Sequence, residues 1–175
     1  MSTGIMTYGR FQPPHRGHEK LINKVKELSK YHGGDAGQFI FTSKTNDYDN
    51  PLELLDKLSL LWAIDAMATS AKSIFEALEI VSVLHKNLIL VVGSDRVEHF
   101  KEIIEKYNGT TYNFDSIEVV SAGERDDVRW SGSYMRELAR LGKRAEFISL
   151  CPIGYTPDNQ HLAYSNTRAF YKDDV

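Results

Sequence analysis

Leu88-Ile89-Leu90-Val91-Val92 is an uninterrupted apolar run closed by Gly93-Ser94-Asp95. A run with no polar residue to show to water fits a central strand of a parallel sheet, covered on both faces. Parallel strands need long crossovers, usually helical, so the flanking sequence has to supply helices. It does. Ile5 to Tyr8 reads as a short strand ending at Gly9, and a helix from about His18 to Lys30 buries Leu21, Val25 and Leu28 while turning Lys20, Lys24 and Lys26 to water. Gly33, Gly34 and Gly37 end that helix, and residues 38–43 form a second strand. Asn50-Pro51-Leu52-Glu53 has the pattern of a helix start with Asn50 as its cap, and this helix is expected to reach about Ser70. Residues 73–85 are helical or irregular, 96–107 are helical and closed by Asn108-Gly109, and 116–120 form a strand. A helix starts at Ser131 and runs to about Leu141, and residues 145–150 add a turn or two. Beyond Pro152 the aromatic residues follow no clear period, which predicts a loosely packed extension. The alternation predicts an α/β chain: a Rossmann-like open parallel sheet with helices on both faces. One domain over residues 1–150 is expected, with the extension 151–175 packed on it.

Composition narrows the function. A formal net charge of −3 gives no general attraction for nucleic acid or anionic lipid, so an anionic ligand needs local groups to hold it. No apolar run approaches a membrane span, and the N-terminus lacks a basic region followed by an apolar stretch. The single cysteine, Cys151, has no partner within the chain. Together these predict a cytoplasmic protein with neither membrane nor nucleic acid among its partners.

In open parallel sheets ligands bind beyond the carboxyl ends of the strands. Three polar segments follow strand ends here. The first is Gly9-Arg10-Phe11-Gln12-Pro13-Pro14-His15-Arg16-Gly17-His18, where two histidines at a helix start can point the same way and donate N–H bonds to phosphate. Gly17 between them would let a phosphate or base approach the backbone closely. The second is Gly93-Ser94-Asp95, suited to a sugar or base. The third, Ser131-Gly132-Ser133-Tyr134-Met135-Arg136, places two hydroxyls, backbone amides and a guanidinium at a helix N-terminus. Each has a plain alternative when taken alone: surface histidines in a proline-rich loop, a polar strand-end turn, a serine cap beside a surface arginine. A metal reading of His15 and His18 lacks a third ligand nearby, so no protein-held metal is expected.

Taken together and in this order, the three segments resemble the nucleotidylyltransferase superfamily, whose members carry (H/T)xGH and an ISSTxxR-like signature. The first segment is most similar to archaeal-type nicotinamide mononucleotide (NMN) adenylyltransferases, which read GRFQPFHxGH there, and Ser131-Gly132-Ser133 is similar to their SGT. Asn50-Pro51-Leu52 and Ala122-Gly123-Glu124-Arg125-Asp126 also resemble phage-encoded cytidylyltransferase-like proteins. The resemblance covers roughly residues 4–150. Pro14 stands where phenylalanine is usual, Ser133 where threonine is, and Trp130 where isoleucine is common.

The resemblance implies transfer of a nucleoside monophosphate from ATP or another NTP to a small phosphorylated acceptor, with release of pyrophosphate. It implies His18 on the α-phosphate, His15 on the β-phosphate, and Ser131, Ser133 and Arg136 on the β- and γ-phosphates. Mg²⁺ would be carried by the NTP phosphates. Gly9, Arg10, Phe11, Gln12 and Gly17 complete the nucleotide-binding stretch, and Gly93 and Asp95 border the nucleoside. Tyr8, Lys57, Trp62, Arg125 and Arg129 are assigned to the acceptor side; the two arginines sit in a loop able to close over the triphosphate, or to stay a solvated charged loop. A phosphate-holding histidine is expected to be partly protonated. NMN is the expected acceptor. A cytidylyltransferase acting on a phosphorylated alcohol, or a nucleotide-binding module without turnover, are the competing functions. The cytidylyl signature RTxGISTT is missing around Val128-Arg129-Trp130-Ser131-Gly132-Ser133. Related enzymes are often homo-oligomers, and nothing in the sequence locates an interface.

Overall fold

The computed structural model describes residues 2–171, which form two compact units. The first comprises residues 2–9, 20–43 and 69–124; the second comprises residues 10–19, 44–68 and 125–171.

The first unit holds one five-stranded sheet. Its strands are β1 (Thr3–Gly9), β2 (Ala36–Thr42), β3 (Thr69–Ser70), β4 (Asn87–Val92) and β5 (Ser116–Ser121), in the order β3-β2-β1-β4-β5 and all parallel. It is the Rossmann-like open sheet that the apolar run at 88–92 requires. Helix α1 (Arg16–His32) connects β1 to β2. Helices α3 (Ile74–Leu84) and α4 (Val97–Tyr107) make the later crossovers, and α2 belongs to the second unit. Right-handed crossovers running in opposite directions from β1 put α1 on one face and α3 and α4 on the other. Strand side chains alternate between those faces. Met6, Leu88 and Leu90 join the core with Ala77, Leu78 and Val81 of α3 and Ile104 of α4, while Ile5, Ile89 and Val91 are buried at the alternate positions.

Strand order reverses between β1 and β4, and there the sheet opens. The β1–β4 ladder stops at Met6↔Leu90, although β1–β2 continues to Gly9↔Thr42 and β4–β5 to Val92↔Ser121. Beyond Met6 the Thr7 hydroxyl donates to the Val91 carbonyl at 2.9 Å, replacing a ladder bond where the two strands part.

The second unit is helical: the first turn of α1, then α2 (Leu54–Trp62), α5 (Gly132–Arg140), α6 (Arg144–Leu150) and α7 (Pro157–Tyr171). α5 packs on α6 and α7, and α7 on α2, around Leu60, Met135, Leu138, Phe147, Leu150 and Ala163.

Four expectations need correction. Asn50 does not cap α2. Its side-chain Nδ2 donates to Asp47 Oδ1 at 2.8 Å, and Asp47 and Asn50 exchange backbone bonds of 3.0 Å, so the chain closes a tight loop there and the helix begins only after Glu53. α2 also ends at Trp62 rather than near Ser70: Asp65 Oδ1 accepts from Met67 N–H at 2.7 Å, and residues 69–70 form β3 instead. α1 starts at Arg16, before His18. Finally, the extension is not loose. α7 buries Ala163, Thr167 and Tyr171, spaced one helical turn apart, a stripe hidden in the sequence because alanine and threonine carry little hydropathy signal.

Candidate functional site

The chain leaves β1 at Gly9 and enters the second unit at Arg10. Phe11 takes φ of 50°, a left-handed conformation that costs a side-chain-bearing residue about 1–2 kcal/mol. Its ring is buried and lies 4.6 Å from that of His18, centroid to centroid. The peptide bond that follows Gln12 is cis. The buried Gln12 side chain grips the backbone of Leu52: Nε2 donates to the carbonyl at 3.0 Å and Oε1 accepts from the N–H at 2.8 Å. The side chain of a residue assigned to the nucleotide thus holds the entry to α2.

His15 and His18 meet at the start of α1, where Glu19 N–H donates to the His15 carbonyl at 3.0 Å. Nδ1 of His15 accepts from Gly17 N–H at 3.0 Å and from His18 N–H at 3.4 Å; Nδ1 of His18 accepts from His15 N–H at 3.2 Å. A ring nitrogen that accepts carries no proton, so each neutral ring carries its proton on Nε2. The rings stack at 3.7 Å with 23° between their planes, so both Nε2–H edges can serve one ligand. Burial pushes the His15 pKa down to about 3, helped by the charge of Arg125. Burial also holds His18 well below its ordinary value, reinforced by His15, Arg125, Arg10 and Lys57. In the free protein both rings are held neutral, and a proton on either Nδ1 would face an amide N–H.

Gly17 serves this pair. A Cβ there would lie 2.9 Å from His15 Cε1 and 3.1 Å from its Nδ1, so the glycine makes room for the imidazole. Arg136 on α5 donates from Nη1 to the Gln12 carbonyl at 2.9 Å, leaving other guanidinium N–H groups for an anion. A Cβ on Gly132 would come within 3.0 Å of that Nη1 and 3.3 Å of the Gln12 oxygen. Ser131 caps α5; its Oγ accepts from Tyr134 N–H at 3.4 Å and lies 2.8 Å from Ser133 Oγ. Lys57 on α2 is fully buried, and burial, then Arg10, lower its pKa to about 8.

In the second unit the charges of Arg10, Lys57 and Arg125 thus bear on His18, beside its stacked partner His15, and Arg136 is tied to the Gln12 carbonyl and also feels Arg10. It does not recruit Arg129 to that group: its exposed guanidinium is paired with Asp127 at 2.6 Å and holds that carboxyl down to about 2. Trp62 is 44% exposed rather than core, and its Nε1 donates to the Ala68 carbonyl at 2.8 Å. Tyr8, Gly9, Gly93 and Asp95 lie in the first unit, at the carboxyl edge of its sheet; Gly93 precedes a 3₁₀ turn at Ser94–Arg96. Sequence reasoning missed two supports beside the histidines. Arg16 Nε donates to the Cys151 carbonyl at 3.3 Å, and the Glu19 carboxylate accepts from Ile153 and Gly154 N–H at 2.9 and 3.1 Å. A carboxylate directly after the second histidine was the available signal.

No protein-family model matches this chain, and no curated protein matches it in sequence. Among solved structures it is similar to Thermotoga maritima TmcAL, crystallised with alpha-thio ATP, at a TM-score of 0.59 and 10% identity over 99% of this chain. The chain spans 56% of that protein's length. At this identity the likeness establishes the fold: a Rossmann-like α/β architecture. No helix among the described residues is long and apolar enough to cross a membrane.

Proposed function

We propose that the chain is a nucleotidylyltransferase, transferring a nucleoside monophosphate from an NTP to a phosphorylated acceptor, with ATP and NMN as the substrate pair and NAD and pyrophosphate as products. The observation that carries this reading is the histidine pair, two stacked neutral imidazoles whose free N–H edges are set by backbone bonds. The cations around it favour a polyanion, and the fold is shared with a protein crystallised with an ATP analogue. In the proposed reaction an acceptor phosphate oxygen attacks the α-phosphorus in line, and the bond from that phosphorus to the pyrophosphate oxygen breaks. His18 Nε2–H donates to the α-phosphate and His15 Nε2–H to the β-phosphate. Ser131, Ser133 and Arg136 hold the β- and γ-phosphates, and Arg10 and Arg125 neutralise charge gathering on the leaving group. Among the described residues no group of three or more His, Cys, Asp or Glu could hold a metal, so this set of donors suits an NTP that brings Mg²⁺ on its own phosphates, where the ion supplies charge neutralisation.

The test is pyrophosphate release with Mg²⁺, each NTP, and a panel of phosphomonoesters including NMN. ATP with NMN yielding NAD is the expected result; dependence on CTP and a phosphorylated alcohol would make the chain a cytidylyltransferase, and silence across the panel would refute enzymatic transfer.

Two further results are expected. Lys57, assigned to the acceptor phosphate, is protonated below its pKa of about 8 and loses its charge above it. Acceptor kcat/KM in the wild type should fall by up to about tenfold per pH unit above that value, since this parameter follows the free enzyme. Lys57→Met should have lower activity and lack this basic limb; a limb unchanged in the variant would remove Lys57 from the acceptor site. Gly17→Ala should displace the His15 ring and lower kcat about tenfold or more, a misplacement effect, with little change in far-ultraviolet circular dichroism. Wild-type kcat in this variant would show that the ring is not held as described.

A further inference from the structure

The first turn of α1 has to aim two imidazoles, yet its own residues hold it weakly. Gly17 stands at its second position, and glycine supports a helix less well than any residue but proline. The N–H groups of a first turn also find no partners within the helix. His15 Nδ1 takes up two of them, so a ring that must be aimed is itself part of what holds the turn. Outside support comes from one short segment, residues 151–154. Glu19 reaches it with both carboxylate oxygens: Oε1 accepts from Ile153 N–H at 2.9 Å and Oε2 from Gly154 N–H at 3.1 Å. Arg16 Nε adds a longer bond to the Cys151 carbonyl. Arg16 and Glu19, three apart, share one face of the helix, and His18 precedes Glu19, about 100° round the axis.

The segment is a fixed bracket. Cys151 and Tyr155 are buried at its two ends. Cys151 N–H donates to the Ile148 carbonyl at 3.1 Å, and the Tyr155 hydroxyl donates to the Leu60 carbonyl at 2.7 Å. Between them Ile153 is 75% exposed, so its N–H, and not its side chain, is what ties it to α1. We infer that Glu19 is a positioning residue, whose carboxylate locks the first turn of α1 to this bracket and so fixes where the Nε2–H groups of His15 and His18 point. Glu19 is suited to this because it binds at both ends: its own N–H donates to the His15 carbonyl at 3.0 Å while its carboxylate holds two successive amides. Bonds to an ionised acceptor are stronger than neutral ones. The effect on turnover rests on the nucleotidylyltransferase reading; the aim of the rings does not.

The experiment compares wild type, Glu19→Ala, Glu19→Gln and Tyr155→Phe by steady-state kinetics and by long-range ¹⁵N–¹H NMR of the histidine rings. In wild type the Nδ1 signals of both rings should be those of an unprotonated nitrogen. In Glu19→Ala the Nδ1 and Nε2 signals should move towards each other as the two tautomers exchange, and kcat should fall about tenfold or more, a misplacement effect, with acceptor KM within about twofold. Glu19→Gln keeps one accepting oxygen at the same reach and should recover part of the loss. Tyr155→Phe loosens the same segment by removing a different bond, so it should melt a few degrees lower but keep kcat within about twofold of wild type. Wild-type kcat or unchanged ring spectra in Glu19→Ala, or a Tyr155→Phe variant as impaired as Glu19→Ala, would overturn the inference while the proposed reaction stands. Ring spectra that change as expected, in a chain whose wild type releases no pyrophosphate with any substrate pair, would overturn the reaction and leave the aim of the rings to Glu19.

Discussion

His18→Ala should lower turnover by about two to three orders of magnitude, the usual effect of removing one preorganised donor from a developing oxyanion. The ring's one described backbone bond, from His15 N–H at 3.2 Å, lies at the long end of the range. Loss of stability should therefore be about 1 kcal/mol, and the melting curve should show an intact fold. The protonation state sharpens the test. Both Nδ1 atoms accept amide N–H groups, so an imidazolium could form only by breaking the bonds that shape the loop. Polyphosphate would raise both pKa values by its charge, but the geometry is that of neutral donors. His18→Gln, which keeps a neutral N–H donor on a side chain of similar length, should recover part of the activity. No acid-favoured limb should appear in enzyme kcat; a phosphomonoester acceptor has its own second pKa near 6, which has to be subtracted. A His18→Gln variant as inactive as His18→Ala, with wild-type rate climbing as pH falls, would show that the positive charge was what mattered. Stability carries the same signature. His15 titrates near 6.5 when unfolded and at about 3 when folded, so between those values the unfolded chain binds a proton that the folded one refuses. This contribution to stability is complete above pH 6.5 and is lost as pH falls towards 3.

How much of this was legible in the sequence depends on what each feature needs. The run at 88–92 needs only its own residues and a sheet around it, and β4 lies there with one extra residue at Asn87. The serine cap at Ser131 is equally local. Asn50 misled because its local pattern is a sound helix start, yet its side chain found Asp47 and its neighbour Leu52 found Gln12, a contact forty positions back in the chain. Long-range contacts of that kind leave no periodic trace. The histidines show the same division. Their presence and spacing were visible, but their charge depends on burial and on Arg125, Arg10 and Lys57, which only the folded chain brings near. Gly17 makes room for the His15 ring as well, a need that only the folded chain shows.

Gln12→Ala should be the most destabilising of these changes, at about 2–5 kcal/mol. The buried side chain satisfies both polar groups of one buried residue, and each of the two, the Leu52 N–H and C=O, costs about 1–3 kcal/mol when left unpaired. For a chain of this size that corresponds to a drop in Tm of roughly 10 °C. Catalysis should suffer too, because the Gln12 carbonyl anchors Arg136. Gln12→Glu separates the clasp from simple packing. An ionised carboxylate can accept from the Leu52 N–H but opposes the Leu52 carbonyl; a protonated one offers one donor and one acceptor and can remake both bonds. Burial and that carbonyl therefore raise the folded-state pKa of Glu at this position above its unfolded value. The remade clasp is fully present below the unfolded pKa and is lost as pH rises through the folded one. Measured against wild type at each pH, Gln12→Glu should thus be strongly destabilised at neutral pH and recover on acidification, while Gln12→Ala should show no such recovery. Parallel pH profiles for the two variants, or a Gln12→Ala melt within about 2 °C of wild type, would mean that the entry to α2 is held by packing and that the two bonds to Leu52 contribute little.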